Sequence, residues 1–188
     1  VRRGILGGTF DPPHLAHLIA AETAHEQLEL DVVTFMPAGM PWQKADAGVS
    51  AAEHRWAMTL LTVSGASYFA ADDREVVREG WTYTVDTLGE FPDDELYLVL
   101  GADAAAGLPT WHRSEDVLSM ATIAVVPRPG TSGADVEKAV AQVKWLDMPE
   151  IDVSGTMLRD RRRSGRSIRF FVRDEVHDYI EANSLYAP

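Results

Sequence analysis

The chain contains no cysteine. Disulfides, thiolate metal sites and a cysteine nucleophile are therefore excluded, and a reducing, cytoplasmic location is expected. No apolar run approaches the roughly 20 residues a membrane helix needs, so no membrane partner is expected. Arg2-Arg3 precede only a brief apolar stretch that runs into Gly7-Gly8, which does not read as a signal peptide. Basic residues are scarce, 17 against 29 acidic ones, for a net charge of −12. So acidic a chain is a poor general binder of nucleic acid, because that affinity comes mostly from neutralising phosphates. A Walker A lysine and a GxGxxG fingerprint are also missing. What is present is an ordinary globular composition, 46% hydrophobic and 24% charged, in 188 residues, enough for one domain with a real core.

Apolar runs alternate with amphipathic ones. Strands are expected over Arg3–Leu6, Val32–Met36, Tyr68–Ala70, Leu96–Leu100, Ile123–Val126 and Ile151–Val153. Helices are expected over Leu15–Leu28, with Leu15, Leu18 and Ile19 on one side, and from a Ser50–Glu53 capping box to about Val63. Others are expected over Tyr83–Phe91, Ala134–Val143, from about Thr156, and over Glu175–Ala182. The alternation predicts an α/β fold: a Rossmann-like, doubly wound sandwich with a mostly parallel sheet. Ligands in such folds sit at the carboxyl ends of strands, which directs attention to the segments at Gly7, Pro37, Gly101 and Ser154.

The first of these segments reads "GGTFDPPHLAH", residues 7–17. Paired glycines after a strand allow a sharp turn and close approach to a ligand. Asp11 suits a helix N-cap and Pro12 the first helical position. His14 and His17 then share one face near a helix N-terminus, where free N–H groups favour anions. A phosphate held there would move both imidazoles toward the charged form. The constellation reads as a phosphate cradle. A zinc site lacks a third ligand, and a glycine turn with incidental histidines is the bland alternative. The arginines from Arg159 to Arg173 read either as a solvated helix face or as one or two groups facing a polyanion.

"GGTFDPPHLAH" resembles the GxFDPxHxGH signature of the adenylyltransferases in the HxGH nucleotidyltransferase superfamily. "DVSGTMLR", residues 152–159, is similar to the superfamily's ISSTxIR motif. "MPAGMPWQK" resembles the segment that brings a lysine, here Lys44, to the nucleotide phosphates. "WTYTVDTL" resembles a segment that binds a pyridine mononucleotide, and "LVLGADAAAGLPTWHR" is similar to GxDxxxxLPxW. "FFVRDEVHDYIEANSLY" looks like the usual ending. The resemblance covers nearly the whole chain and points to the nicotinate-nucleotide adenylyltransferases of bacteria. It implies a single nucleotidyltransferase domain over residues 1–188, with a helical C-terminal part from about residue 152.

The resemblance implies transfer of an adenylyl group from ATP to nicotinate mononucleotide, giving deamido-NAD and pyrophosphate by direct in-line attack. His14, His17, Lys44 and Arg159 are the implied catalytic groups. Gly7, Gly8, Thr9, Phe10, Gly101, Asp103, Ser154 and Thr156 would join His14, His17 and Arg159 around ATP. Lys44, Tyr83, Thr84 and Trp111 would meet the acceptor. Mg²⁺ would bind through the phosphates, with no metal site made by the protein. A homo-oligomer is compatible with the sequence, which does not fix the number of copies.

Asp103 reads alternatively as a cap of the helix after Gly101 and Trp111 as a core or rim aromatic, and His25, His54, His112 and His177 read as structural. Ala16, Gln43 and Gly155 depart from the family pattern; a serine restored at Gly155 is expected to be tolerated. The rival readings are a sister enzyme using nicotinamide mononucleotide, phosphopantetheine or cytidylyl transfer, a non-catalytic nucleotide sensor on the same fold, and an RNA-binding module.

Overall fold

Alternating side chains on short apolar strands bury both faces of one sheet. The computed structural model describes residues 1–39 and 48–187. The strands are β1 (Arg2–Gly8), β2 (Val32–Pro37), β3 (Phe69–Ala71), β4 (Glu95–Gly101), β5 (Ala121–Val126) and β6 (Lys144–Trp145). They form one sheet in the order β3-β2-β1-β4-β5-β6, and every neighbouring pair is parallel. Ile5, Leu98, Leu100, Ile123 and Val125 point to one face. Leu6, Phe35, Val99, Ala124 and Val126 point to the other. That period-two exchange is what a strand buried on both faces requires.

The helices are α1 (Leu15–Gln27), α2 (Ala52–Val63), α3 (Arg74–Val77), α4 (Thr84–Gly89), α5 (Ala102–Ala106), α6 (Ser114–Met120), α7 (Gly133–Ala139), α8 (Gly155–Arg163) and α9 (Asp174–Ala182). A third cluster, with Met58, Leu158, Ile168, Val176 and Ile180, joins α2, α8 and α9 into the helical part at the end of the chain. Successive crossovers run outward from β1 in one direction and from β4 in the other. The switch point therefore falls between the carboxyl ends of β1 and β4, where a crevice opens.

Several expectations change. The buried face of α1 is made by Ala16, Ala20, Ala21 and Ala24, while Leu15 is exposed. Small residues let this helix lie close on the sheet, so packing overrides the larger aliphatics. Helix α2 has Ala51 at its N-cap without a side-chain bond, one residue after Ser50, whose backbone N–H and carbonyl bind Asp11 and Arg55. The last strand is β6, and residues 151–153 form none; Val153 instead packs in the third cluster. Helix α7 stops at Ala139, with Val140 already extended. Three short helices, α3, α5 and α6, carry too few turns for periodicity to reveal.

Candidate active site

The turn after β1 differs from the expected cap. The Asp11–Pro12 peptide is cis, Leu15 is the first helical residue, and His14 is the N-cap of α1. The His14 backbone N–H donates to His17 Nδ1 at 3.1 Å. The third helical side chain thus reaches back to the cap, as Glu or Gln does in a capping box. With Nδ1 accepting, a neutral His17 carries its proton on Nε2. The two imidazoles stack at 3.8 Å, and Phe10 meets the His17 ring edge-on at 4.9 Å.

His14 is 3% exposed. Burial, assisted by the nearby Arg128 charge, pushes its pKa down to about 3. Without an anion, desolvation keeps His14 neutral, and the charged form expected beside a phosphate waits on that phosphate. Its Nδ1 has no hydrogen-bond partner among the described residues.

Behind the turn lies a buried polar knot. Ser50 N–H donates to Asp11 Oδ2 at 3.0 Å, and the Tyr186 hydroxyl donates to Asp11 Oδ1. Arg55, 2% exposed, donates from Nε to Ser50 O at 3.0 Å, and from its terminal nitrogens to Thr9 O at 3.0 Å and Gly39 O at 2.8 Å. It also donates to Ala38 O. One guanidinium thereby joins the loops that follow β1 and β2, spending its fork on carbonyls that would otherwise be buried unpaired.

The second helix start faces the same turn. Ser154 caps α8, its hydroxyl accepting from Met157 N–H at 3.2 Å. Arg159 donates to the Asp11 carbonyl at 2.8 Å and to Thr156 Oγ1 at 3.3 Å. A Cβ on Gly155 would stand 2.9 Å from that same carbonyl oxygen. The expectation that serine is tolerated there is overturned: helix and turn pack too closely for a side chain. The other arginines of the run are largely committed. Arg162 pairs with Glu181 at 2.9 Å, Arg163 with Asp160 at 3.2 Å and Arg169 with Asp174 at 3.2 Å.

Two cavities flank the switch point and share Gly7, Leu100 and Ala104. One, of about 190 Å³, is lined by His17, Gly101, Asp103 and Arg128. Asp103 lies in the first turn of α5, whose N-cap is Gly101, and sits 3.9 Å from Arg128. The other, of about 250 Å³, is lined by Gly8, Thr9, Tyr83, Thr84 and Trp111, together with Glu75 and His112. The His112 ring lies 4.4 Å from Tyr83, so His112 belongs to the cavity wall rather than to the scaffold. Glu75 accepts from Thr87 Oγ1 at 2.6 Å, and burial raises its pKa. His25 stacks on Tyr68, His54 bonds Tyr179 and His177 sits beside Asp178 and Glu181, all in structural contacts.

Lys44 and Gln43 lie outside the described residues. The remaining residues singled out in the sequence converge on the two cavities and the two helix starts. Sequence reasoning missed Arg55, Arg128, Glu75 and the role of Asp11. Arg55 carried a signal, a charge on the helix face shared with buried Met58, Thr59 and Thr62. Arg128 carried another, since it follows the end of β5, where ligands of such sheets gather.

The fold and the paired helix starts define a nucleotidyltransferase architecture, and the family model for cytidylyltransferase-like proteins matches residues 5–161. The chain is 38% identical to a probable nicotinate-nucleotide adenylyltransferase of Dehalococcoides mccartyi, over 99% of this chain and 97% of the relative. It is 40% identical to one from Salinibacter ruber, over 98% and 97%. The chain belongs to the cytidylyltransferase-like family and, within it, to the nicotinate-nucleotide adenylyltransferases. Its fold matches that of Plasmodium falciparum nicotinic acid mononucleotide adenylyltransferase, solved in complex with NaAD, with a TM-score of 0.83 over 98% of this chain and 97% of that one, at 18% identity.

Proposed function

We propose that this chain transfers the adenylyl group of ATP to nicotinate mononucleotide, giving deamido-NAD and pyrophosphate. The observation that carries the reading is the pair of adjoining cavities: one with histidine, arginine and aspartate, one with aromatic and threonine side chains. A phosphate oxygen of the acceptor attacks the α-phosphorus of ATP as the bond to the β-phosphate bridging oxygen breaks, and pyrophosphate departs with the electrons. No protein nucleophile takes part, so catalysis is positioning plus stabilisation of charge.

His14 and His17 donate toward the triphosphate at the start of α1. Lys44 and Arg128 add positive charge, and Arg159 presents a fork to phosphate oxygens, with Ser154 and Thr156 at the start of α8. Gly7, Gly8, Thr9 and Phe10 shape the turn beneath the nucleotide. Asp103 accepts from a ribose hydroxyl beside Gly101. Trp111 stacks on the pyridine ring, and backbone N–H groups around Tyr83 and Thr84 read its carboxylate. The raised pKa of Glu75 limits the repulsion an acidic ring would meet there.

Mg²⁺ would accompany ATP. The oxygens of Asp11 are taken by Ser50 and Tyr186, and among the described residues no cluster of three or more His, Cys, Asp or Glu could hold a metal. The donor set suits an ion carried on phosphate oxygens and water, where it would offset negative charge. The lack of cysteine suits work in the cytoplasm.

The test is incubation with ATP, Mg²⁺ and each pyridine mononucleotide, with products identified by mass. Deamido-NAD formed in preference to NAD is the expected result. Equal use of both acceptors would remove the carboxylate-reading role from Tyr83 and Thr84, because an amide NH₂ would set donors against donors. Formation of neither dinucleotide would overturn the proposed reaction.

A further inference from the structure

The ending of the chain carries a tyrosine with no part in the reaction as described. Tyr186 lies 175 residues from Asp11, yet its hydroxyl donates to the Asp11 carboxylate. That carboxylate is 3% exposed and receives Ser50 N–H on its other oxygen. The Asp11 carbonyl receives Arg159 at 2.8 Å, while the same guanidinium stands 3.9 Å from the carboxylate. Ser184 and Tyr186 both adopt left-handed backbone, φ 51° and 54°, a conformation that is uncommon for residues with side chains. The tail thus takes an unfavourable path and ends with its phenol on the turn that orients the site.

We propose that Tyr186 is a positioning residue for adenylyl transfer, its hydroxyl fixing Asp11 and through Asp11 the Arg159 guanidinium. Arg159 has one firm anchor in the turn, the Asp11 carbonyl, and that carbonyl can only be as steady as the residue bearing it. Asp11 is held from two sides, by Ser50 and by Tyr186. Removing the phenol oxygen leaves one buried carboxylate oxygen short of a donor, and such a group relaxes toward any other cation within reach. Among the described residues, the cation that pairs with this carboxylate is Arg159 itself, 3.9 Å away. Its guanidinium would then be drawn from the carbonyl toward the carboxylate and away from the phosphate region. The phenol is suited to a constant role: burial and the adjacent carboxylate push its pKa upward, so it stays a donor throughout the working pH range.

The inference rests on the proposed reaction for its kinetic readout, and nucleotide binding supplies a second one. Tyr186→Phe removes one oxygen. It is expected to lower kcat/KM for ATP by about 10–100-fold and to weaken ATP binding by about 3–10-fold, as loss of a charge-assisted contact does. Combined with Arg159→Ala, the same change should cost less than about twofold in either measurement, since coupled groups fail to add. A merely structural tie would lower the melting temperature in both backgrounds and leave turnover per folded molecule unchanged. Tyr186→His, which keeps a ring and an N–H donor, should recover part of the loss, and it carries the same cycle if Tyr186→Phe does not fold. Effects within twofold for Tyr186→Phe, or losses that multiply with Arg159→Ala, would overturn the inference. Were the wild type to make no dinucleotide, the reaction reading would fail on its own, and the ATP-binding cycle would still decide the role of Tyr186.

Discussion

Helices α1 and α8 start at the same turn, yet they meet an anion with different kinds of charge. At α1 the cap is a histidine buried to 3% exposure and held neutral by desolvation. At α8 the cap is a serine satisfied within its own first turn, and the charge comes from the Arg159 guanidinium. In the proposed reaction, one start would offer positive charge that an incoming phosphate must call up, the other positive charge already in place. A site of this design attracts a polyanion without carrying the full repulsion of its own cations when empty. The comparison also separates roles: groups whose charge can grow with the transition state suit catalysis, while fixed charge suits binding.

The largest break in this comparison should come from His14→Ala. Loss of a preorganised donor is expected to lower kcat by about 10²–10⁴-fold with a smaller change in KM. Steady-state kinetics decide it, and near-normal turnover would reduce His14 to a cap. Next comes Arg159→Lys, expected to be nearly as damaging as Arg159→Ala. A point charge cannot at once hold the Asp11 carbonyl and Thr156 and present a fork to phosphate. Neutralising Arg162 or Arg163, which pair with Glu181 and Asp160, should matter far less. Equal losses of ATP affinity from all three would point to a diffuse field instead.

The titratable side can be sharpened by pH. His14 has its pKa pushed from 6.5 to about 3 by folding. Between those values the unfolded chain binds more protons, so stability rises with pH there and is lost as pH falls through the window. This one group contributes a slope of up to about 1.4 kcal/mol per pH unit. Denaturant midpoints of wild type and His14→Asn over pH 4–7 should diverge, the variant being flatter; parallel curves would show that His14 is not the group responsible. The smallest effect belongs to Gly155→Ser, where a Cβ at 2.9 Å from Asp11 O forces the α8 start to shift. A cost of about 1–3 kcal/mol in stability is expected, read as a lower melting temperature, as for other forced contacts in close packing. An unchanged melting temperature would mean that the turn yields freely.

The four central strands, β2, β1, β4 and β5, were legible because they are buried on both faces and read as apolar runs closed by Gly or Pro. The two helix starts were legible because His14, His17, Ser154 and Arg159 stand in motifs. Other features depended on distant partners. Asp11 reads as a cap from its neighbours, but Tyr186, Ser50 and Arg159 claim it from elsewhere in the chain. Arg55 looks like a surface charge until carbonyls from the loops after β1 and β2 are brought around it. Residues 151–153 have strand composition, yet the edge position beside β5 is taken by Lys144 and Trp145. Local pattern gives each segment a preference, and the competition for partners is settled only in three dimensions.

Gly7 lines both cavities, and a Cβ built on it meets no atom within 4 Å. As far as the folded chain is concerned, alanine would fit there. Any restriction to glycine must therefore come from what the two cavities hold. Under the proposed reaction, selection at this position would act through substrates alone, and stability and activity would part company there: a small side chain is expected to leave the melting temperature intact and to obstruct both partners of the reaction together.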